Sequence, residues 1–151
     1  MPIDYCYDRR PEAAEIARLY DAARLVRPTG DLKRIQKMYA GSTVVWSAWD
    51  GSRLVGLLRG WTDGGYDGYV CDLAVDPDYQ KQGIGRELLT RVAAHYGPDV
   101  QWVLRASKIA PNYYEHIDWK KIENGWYWPR AEWRCHPSMR SLPCRAFLAE
   151  P

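Results

Sequence analysis

The chain has 151 residues and a formal net charge of +2, which comes from 21 basic and 19 acidic residues mixed along the sequence. A chain of this length can bury about 68–70% of its unfolded surface as one domain, without a disulfide or a metal to support the core. The even charge balance gives no basic stripe for a nucleic-acid backbone, and no run of about 20 apolar residues predicts a membrane span, so we expect neither partner.

Residues 1–41 predict one strand and two helices. A short β-strand is expected at residues 3–7. Apolar residues then recur at helical spacing from Pro11, which predicts a helix that continues to about Val26. A second helix is expected to begin at Asp31 and to stop at Gly41, the residue type that most often follows a helix.

Three β-strands come next, at residues 42–49, 53–61 and 66–75. Asp50-Gly51 between the first two is a strong signal for a tight hairpin turn. Asp63 is expected to act as a turn residue between the second and third strands, since aspartate is favoured in turns. These three strands predict an antiparallel meander.

A strand–helix–strand crossover follows the meander. Its helix is predicted from Ile84 to about Tyr96, and its second strand at residues 100–105. A last helix is expected at residues 111–116, and a final strand or pair of short strands at residues 119–128. The order of elements predicts a single α/β domain over residues 1–130, with a mixed, mostly antiparallel central sheet flanked by helices. Residues 131–151 form a tail that matches no motif.

The most informative segment is residues 73–86, where a strand ends, a loop carries two glycines one residue apart, and a helix begins at once. Exposed amides at a helix N-terminus, together with the helix dipole, bind phosphate. A side chain at Gly83 or Gly85 would hold a pyrophosphate away from the backbone. Lys81 and Arg86 could add positive charge. The segment therefore predicts a phosphate-binding loop.

Two other phosphate-binding loops fit this segment less well. A nucleotide-binding P-loop needs Gly-x-x-x-x-Gly-Lys-Ser/Thr, and no such run is present. A dinucleotide fingerprint needs a third glycine, and Leu88 occupies that position. The glycine spacing alone is also compatible with a tight turn that binds no ligand.

Gln80-Lys81-Gln82-Gly83-Ile84-Gly85, preceded by Leu73-Ala74-Val75-Asp76-Pro77, resembles the acyl-CoA pyrophosphate loop of the GNAT N-acetyltransferases. That motif reads Arg or Gln, two residues, Gly, one residue, and Gly or Ala. Residues 110–119, Ala-Pro-Asn-Tyr-Tyr-Glu-His-Ile-Asp-Trp, are similar to the family's second motif. Asp118 stands where the family usually has glycine, and Trp119 replaces phenylalanine.

The resemblance covers residues 42–128 and implies an acetyl-CoA-dependent N-acetyltransferase with two splayed strands around the CoA site. It implies that Tyr114 is the general acid that protonates the departing thiolate. Homodimers are common in the family, so a homodimer is an expected partner state. The co-substrate, acetyl-CoA, is expected to contact Leu73, Ala74, Val75, Gln80, Lys81, Gln82, Gly83, Ile84, Gly85, Arg86 and Ser107.

A closer resemblance is to the subgroup that contains the plant chloroplast serotonin N-acetyltransferases. It rests on residues 62–72, on Ser107 seven residues before Tyr114, and on residues 126–129. Members of that subgroup act on arylalkylamines, and some act on protein lysines. The resemblance therefore implies a small-molecule amine acceptor of the arylalkylamine or polyamine type, with a protein lysine or N-terminal amine as the alternative.

The acceptor amine must lose a proton before it attacks, because an alkylamine has an unperturbed pKa of about 10.4. Asp72 on the third meander strand is the candidate that could attract the ammonium group or take its proton. The aromatic residues Trp61, Tyr66 and Tyr69 lie near it in sequence and could form an apolar wall. Asp72 could equally be a structural carboxylate paired with an arginine, and the sequence leaves both roles open.

Two further functions fit the sequence less well. A toxin that acetylates aminoacyl-tRNA would need a strongly basic face, which the charge balance does not supply. A non-catalytic CoA-binding module would be expected to lack the acid, and Tyr114 is present.

The cysteines give a clue to the compartment. Cys6, Cys71, Cys135 and Cys144 are far apart, and the start of the chain has no apolar signal segment. Free thiols in a reducing cytoplasm are the simpler interpretation. Cys135, His136 and Cys144 lack the paired spacing of a metal site, so we expect no metal.

Overall fold

Five strands form one sheet in the computed structural model, which describes residues 2–108, 112–128 and 130. The strands lie across the sheet in chain order, and each pair of neighbours is antiparallel except the last, which is parallel. This confirms the predicted mixed, mostly antiparallel sheet. The strands are β1 (Asp4–Tyr7), β2 (Val44–Asp50), β3 (Arg53–Thr62), β4 (Asp67–Val75) and β5 (Gln101–Leu104).

Three helices flank the sheet: α1 (Ala13–Ala22), α2 (Leu32–Ala40) and α3 (Ile84–Tyr96). The predicted bounds of α3 are confirmed, whereas α1 ends before the predicted Val26. The reason is that Arg24 adopts a left-handed conformation with φ 55°. This lets the Leu25 amide donate back to the Tyr20 carbonyl at 2.9 Å, which closes the helix end.

The helices lie on both faces of the sheet. Alternate residues of β2 point to opposite faces, so Val45 packs with α1 and α2 while Val44 packs with α3. The molecule therefore has three layers, with α1 and α2 on one side and α3 on the other.

Gly56 in β3 allows α3 to approach the sheet closely. A Cβ at this position would lie 2.8 Å from the Ile84 side chain and 3.1 Å from the Ala48 side chain. Because Ile84 begins α3, this close contact fixes where the helix N-terminus lies over the sheet. No local sequence pattern predicts this role.

The region after β5 differs from the prediction. Where a helix is expected at residues 111–116, the described part, from residue 112, has only a short 3₁₀ turn, Glu115–Ile117, which ends at Asp118 with φ 68°. A left-handed residue explains why related sequences favour glycine there, and aspartate tolerates that conformation better than most residues.

The strand expected at residues 119–128 is wrong, because the structure assigns no strand there. Trp126 and Trp128 in this segment are each 96% exposed, whereas a strand packed in the sheet would bury at least one face. A strand needs a neighbour to pair with, and these residues pair with none of the described strands. The predicted tail at residues 131–151, with its three potential metal ligands, lies outside the described residues. No helix in the described ranges is long and apolar enough to cross a membrane.

Candidate active site

Strand β5 pairs with only the first four residues of β4. The two strands pair from Asp67 and Gln101 to Val70 and Leu104, although β4 continues to Val75. Residues 72–75 of β4 still pair with β3 on one edge, and β5 does not cover their other edge. This open edge is what the splayed strands implied by the family resemblance would leave.

The open edge of β4 carries backbone amides. The amide of Asp76, just after the strand, donates to the Val55 carbonyl of β3 at 2.8 Å. Because amides alternate between the two edges of a strand, those of Leu73 and Val75 point to the opposite, open edge. They can donate to a ligand that lies along β4 in place of β5.

The loop after β4 is held in shape by its own residues. The Gln80 side-chain amide donates to the Val75 carbonyl at 3.1 Å, which folds the loop back onto the end of the strand. Lys81 and Gly83 both have left-handed backbones, with φ 61° and 83°. Gly83 is the N-cap of α3, and its carbonyl accepts the Glu87 amide at 2.9 Å.

The amides of residues 82–86 lie at the start of α3, where an anion could bind. Within the described part of the chain, none of them donates a hydrogen bond to another group. Orphan amides at a helix N-terminus, with the positive end of the helix dipole, favour a phosphate. Lys81 and Arg86 are exposed beside them, and Arg86 lies 4.0 Å from the Asp118 carboxylate.

Asp76 anchors the loop and was not identified from the sequence. Its side chain is 3% exposed and accepts from Arg18 at 3.2 Å and Arg53 at 3.0 Å. It also accepts from the Asp78 amide at 3.2 Å. Burial alone would raise the pKa of this carboxyl, but these donors lower it below its usual value. Asp76 therefore fixes the start of the loop to α1 and β3 as a charged group.

A cavity of about 540 Å³ lies where the pairing of the two strands ends. Leu73, Leu104, Ser107 and Tyr114 all line it. Ser107 is thus near Tyr114 at the cavity and follows the end of β5. Pockets of a few hundred Å³ suit small molecules.

Tyr114 lies between two other aromatic rings. Its ring centroid is 5.2 Å from that of Tyr113 and 5.9 Å from that of Trp119. Burial, with a smaller contribution from Tyr113, raises the pKa of Tyr114 to about 12. The phenol therefore stays protonated at neutral pH and can act as a proton donor.

Asp72 is enclosed by donors from three elements. Its carboxylate accepts from Arg59 Nε at 2.6 Å, from Arg27 Nε at 2.6 Å and from the Tyr20 hydroxyl at 2.8 Å. The residue is 1% exposed. Burial would raise the pKa of Asp72, but Arg27 and Arg59 outweigh it and hold the pKa below its usual value.

This arrangement matches the second role considered for Asp72, that of a structural carboxylate paired with arginine. Both carboxylate oxygens accept from arginine, and Arg27 and Arg59 line the cavity in front of it. An incoming ammonium group would meet these guanidinium groups before it met the carboxylate. We therefore infer a structural role for Asp72 and no direct contact with the acceptor amine.

Two of the three candidate aromatic residues line the cavity. Trp61 and Tyr69 stack with ring centroids 6.3 Å apart and planes 16° apart. The Trp61 indole donates to the Gly41 carbonyl at 2.7 Å, which fixes the ring. Tyr66 is 72% exposed and lies in the turn before β4, away from this wall.

The family model of the acetyltransferase (GNAT) domain matches residues 25–127. No curated protein matches the sequence.

Solved structures of similar fold include several acetyltransferases. A GNAT-family acetyltransferase from Streptococcus pneumoniae is 24% identical, with a TM-score of 0.67 over 87% of this chain and 100% of its own. An aminoglycoside acetyltransferase from an uncultured soil metagenomic sample, in complex with sisomicin, is 22% identical, with a TM-score of 0.61 over 85% and 96%. The ribosomal-protein-alanine N-acetyltransferase of Brucella melitensis is 20% identical, with a TM-score of 0.64 over 85% and 99%.

Proposed function

Because the chain belongs to the GNAT acetyltransferase family, we propose that it transfers the acetyl group of acetyl-CoA to the primary amine of a small molecule. The observation that carries this proposal is the opening between β4 and β5. Near it lie the N-terminus of α3, whose amides would bind a phosphate, and the protonated phenol of Tyr114.

The residues present fit acetyl-CoA. The pyrophosphate would be held by the amides of residues 82–86, and the pantetheine arm by the amides of Leu73 and Val75. The open space around Gly83, where a Cβ would meet nothing within 4 Å, leaves room for a phosphate to reach the backbone. When bound, acetyl-CoA supplies the thioester carbonyl that the amine attacks and the thiolate that leaves.

The protein's own groups orient the reactants and supply one proton. The amides on the open edge of β4 can donate to the thioester carbonyl, which polarises it. The Tyr114 hydroxyl can donate to the leaving sulfur. Burial raises the pKa of the phenol and would also raise that of a thiol beside it, so the departing sulfur would become more basic there than in water. Holding both reactants in one cleft supplies much of the rate.

The cavity favours a small acceptor with an apolar part. The stacked Trp61 and Tyr69 rings provide an aromatic wall of the kind expected for an arylalkylamine. A polyamine would need acidic side chains in the cavity, and Asp and Glu are absent from the described residues that line it. We therefore propose an aromatic or apolar amine in preference to a polyamine.

Gly83→Val tests the placement of acetyl-CoA. The branched side chain would stand between the phosphate and the amides, so we expect acetyl-CoA affinity to fall about 10- to 100-fold, the worth of one charged hydrogen bond. Isothermal titration calorimetry measures this directly.

Gly64→Val is the matched control. Gly64 has φ 77°, close to the 83° of Gly83, and a Cβ there also meets nothing within 4 Å. Both variants carry similar backbone strain, but Gly64 lies in the turn between β3 and β4. Equal loss of acetyl-CoA affinity in the two variants, or no loss in Gly83→Val, would show that the loop is not part of the binding site.

A further inference from the structure

The cavity beside Tyr114 is strongly positive, although the chain as a whole is close to neutral. Seven of the described residues that line it are arginine or lysine, and none is aspartate or glutamate. The whole chain has a formal charge of only +2. Positive charge is therefore concentrated at this cavity.

A buried carboxylate neutralises part of this positive charge. Arg27 and Arg59 share a single carboxylate, Asp72, which leaves that group of three with an excess positive charge. The pair of arginines also belongs to the wall of the cavity. The internal ion pairs thus do not cancel the field that a ligand would meet.

Three other cations have no acidic partner within the described ranges. Arg34 and Lys37 lie three residues apart on α2, a spacing that places them on one face of the helix. Arg105 follows β5, and its guanidinium lies 4.6 Å from the centre of the Tyr127 ring. None of the three forms an ion pair with a described carboxylate. Their charge is available to a ligand.

The phosphates of acetyl-CoA do not explain the cations of α2. The phosphate-binding amides begin α3, which packs on one face of the sheet, whereas α2 packs on the other. Arg34 and Lys37 therefore lie across the sheet from the pyrophosphate site. They line the same cavity as Trp61 and Tyr69.

We propose that the acceptor amine also carries an anionic group, a carboxylate or a phosphate, which Arg34, Lys37 and Arg105 bind in this cavity. The inference rests on the proposed function and deepens it by naming the substrate class. An anion held at these residues would orient the amine toward Tyr114. The same positive field would disfavour the ammonium form of the amine, which promotes its loss of a proton without a carboxylate base.

Matched pairs of acceptors test this with the full-length chain and saturating acetyl-CoA. Phenylalanine against phenethylamine tests a carboxylate, and phosphoethanolamine against ethanolamine tests a phosphate. We expect kcat/KM to be at least about 10-fold higher for the anionic member of one pair, which corresponds to one hydrogen bond between charged groups. The pair with the larger ratio identifies the anion.

The variant Arg34→Gln/Lys37→Gln tests which residues bind the anion. It should lower kcat/KM for the acceptor that carries the anion about 10- to 100-fold, mainly through KM, and change that of its partner without the anion much less. Acetyl-CoA affinity should not change. Lys33→Gln is the control, because Lys33 is an exposed neighbour on α2 that does not line the cavity; it removes a charge and should change neither acceptor.

A binding measurement covers the case in which none of the four amines is acetylated. Phenylpropionate and phenyl phosphate lack an amine and are titrated into the protein saturated with CoA. At least one should bind the wild type and bind the double variant about 10- to 100-fold more weakly. Binding of neither compound overturns the proposal, as does a preference for the amine without the anion in both pairs.

The proposed function and the proposed substrate class can be disproved separately. If acetyl-CoA does not bind the wild-type protein, the proposed function is wrong. If acetyl-CoA binds and the anion makes no difference, only the proposed substrate class is wrong.

Discussion

Phenylalanine in place of Tyr114 is expected to lower kcat about 10²- to 10⁴-fold, the range for loss of a general acid. The change removes only the hydroxyl, so the ring can keep its packing against Tyr113 and Trp119. Acetyl-CoA affinity and thermal stability should therefore stay close to wild type. Steady-state turnover at saturating acetyl-CoA, with calorimetry of acetyl-CoA binding, measures both quantities.

Tyr113→Phe is the matched control for this prediction. The Tyr113 hydroxyl lies 2.8 Å from the point where a Cβ on Gly85 would be, so it faces the start of α3. We expect its removal to leave kcat nearly unchanged. If Tyr114→Phe keeps nearly full turnover and Tyr113→Phe loses most of its kcat, then Tyr113 is the general acid.

Asparagine in place of Asp72 is expected to lower the free energy of unfolding by about 3–5 kcal/mol, the cost of breaking a buried ion pair. The change keeps the shape but removes the only carboxylate that Arg27 and Arg59 share. Chemical denaturation at neutral pH measures the loss. Asp99→Asn is the control, since Asp99 is exposed in the turn between α3 and β5, and it should change stability little.

The pH dependence of stability tests the same ion pair. The pKa of Asp72 is lowered in the folded protein, so its stabilising effect is full above the usual carboxyl pKa of about 3.9 and is lost as the pH falls through the folded value. The stability gap between wild type and Asp72→Asn should therefore shrink in acid. A stable variant that loses only kcat/KM for the amine would instead support a role of Asp72 in acceptor binding.

The sheet was predictable from sequence because its signals are local. The apolar residues of β2 and the Asp50-Gly51 turn define a hairpin within a few residues. The glycines at positions 83 and 85 likewise mark the start of α3, and the phosphate expected there stays a prediction. In each case, the residues that determine the structure are neighbours in the chain.

The charge of the acceptor cavity was not predictable, because folding assembles it from distant segments. Arg27 reaches Asp72 from 45 residues away and Arg59 from 13 residues away. Periodicity and turn signals do not predict a contact between such distant residues. The sequence therefore could not show whether Asp72 binds the amine or pairs with arginine. The strand predicted at residues 119–128 failed for a similar reason, since a strand depends on a neighbour that the local pattern cannot supply.

Hydrogen–deuterium exchange with and without acetyl-CoA tests the central claim, that the ligand binds in the opening between β4 and β5. We expect acetyl-CoA to slow exchange of the amides of Leu73 and Val75 and of residues 82–86, because these donors would gain acceptors. The turn at residues 63–66 should be unaffected. Acetyl-CoA binding that leaves exchange of the β4 edge and the loop unchanged, or that protects only other segments, would contradict the account.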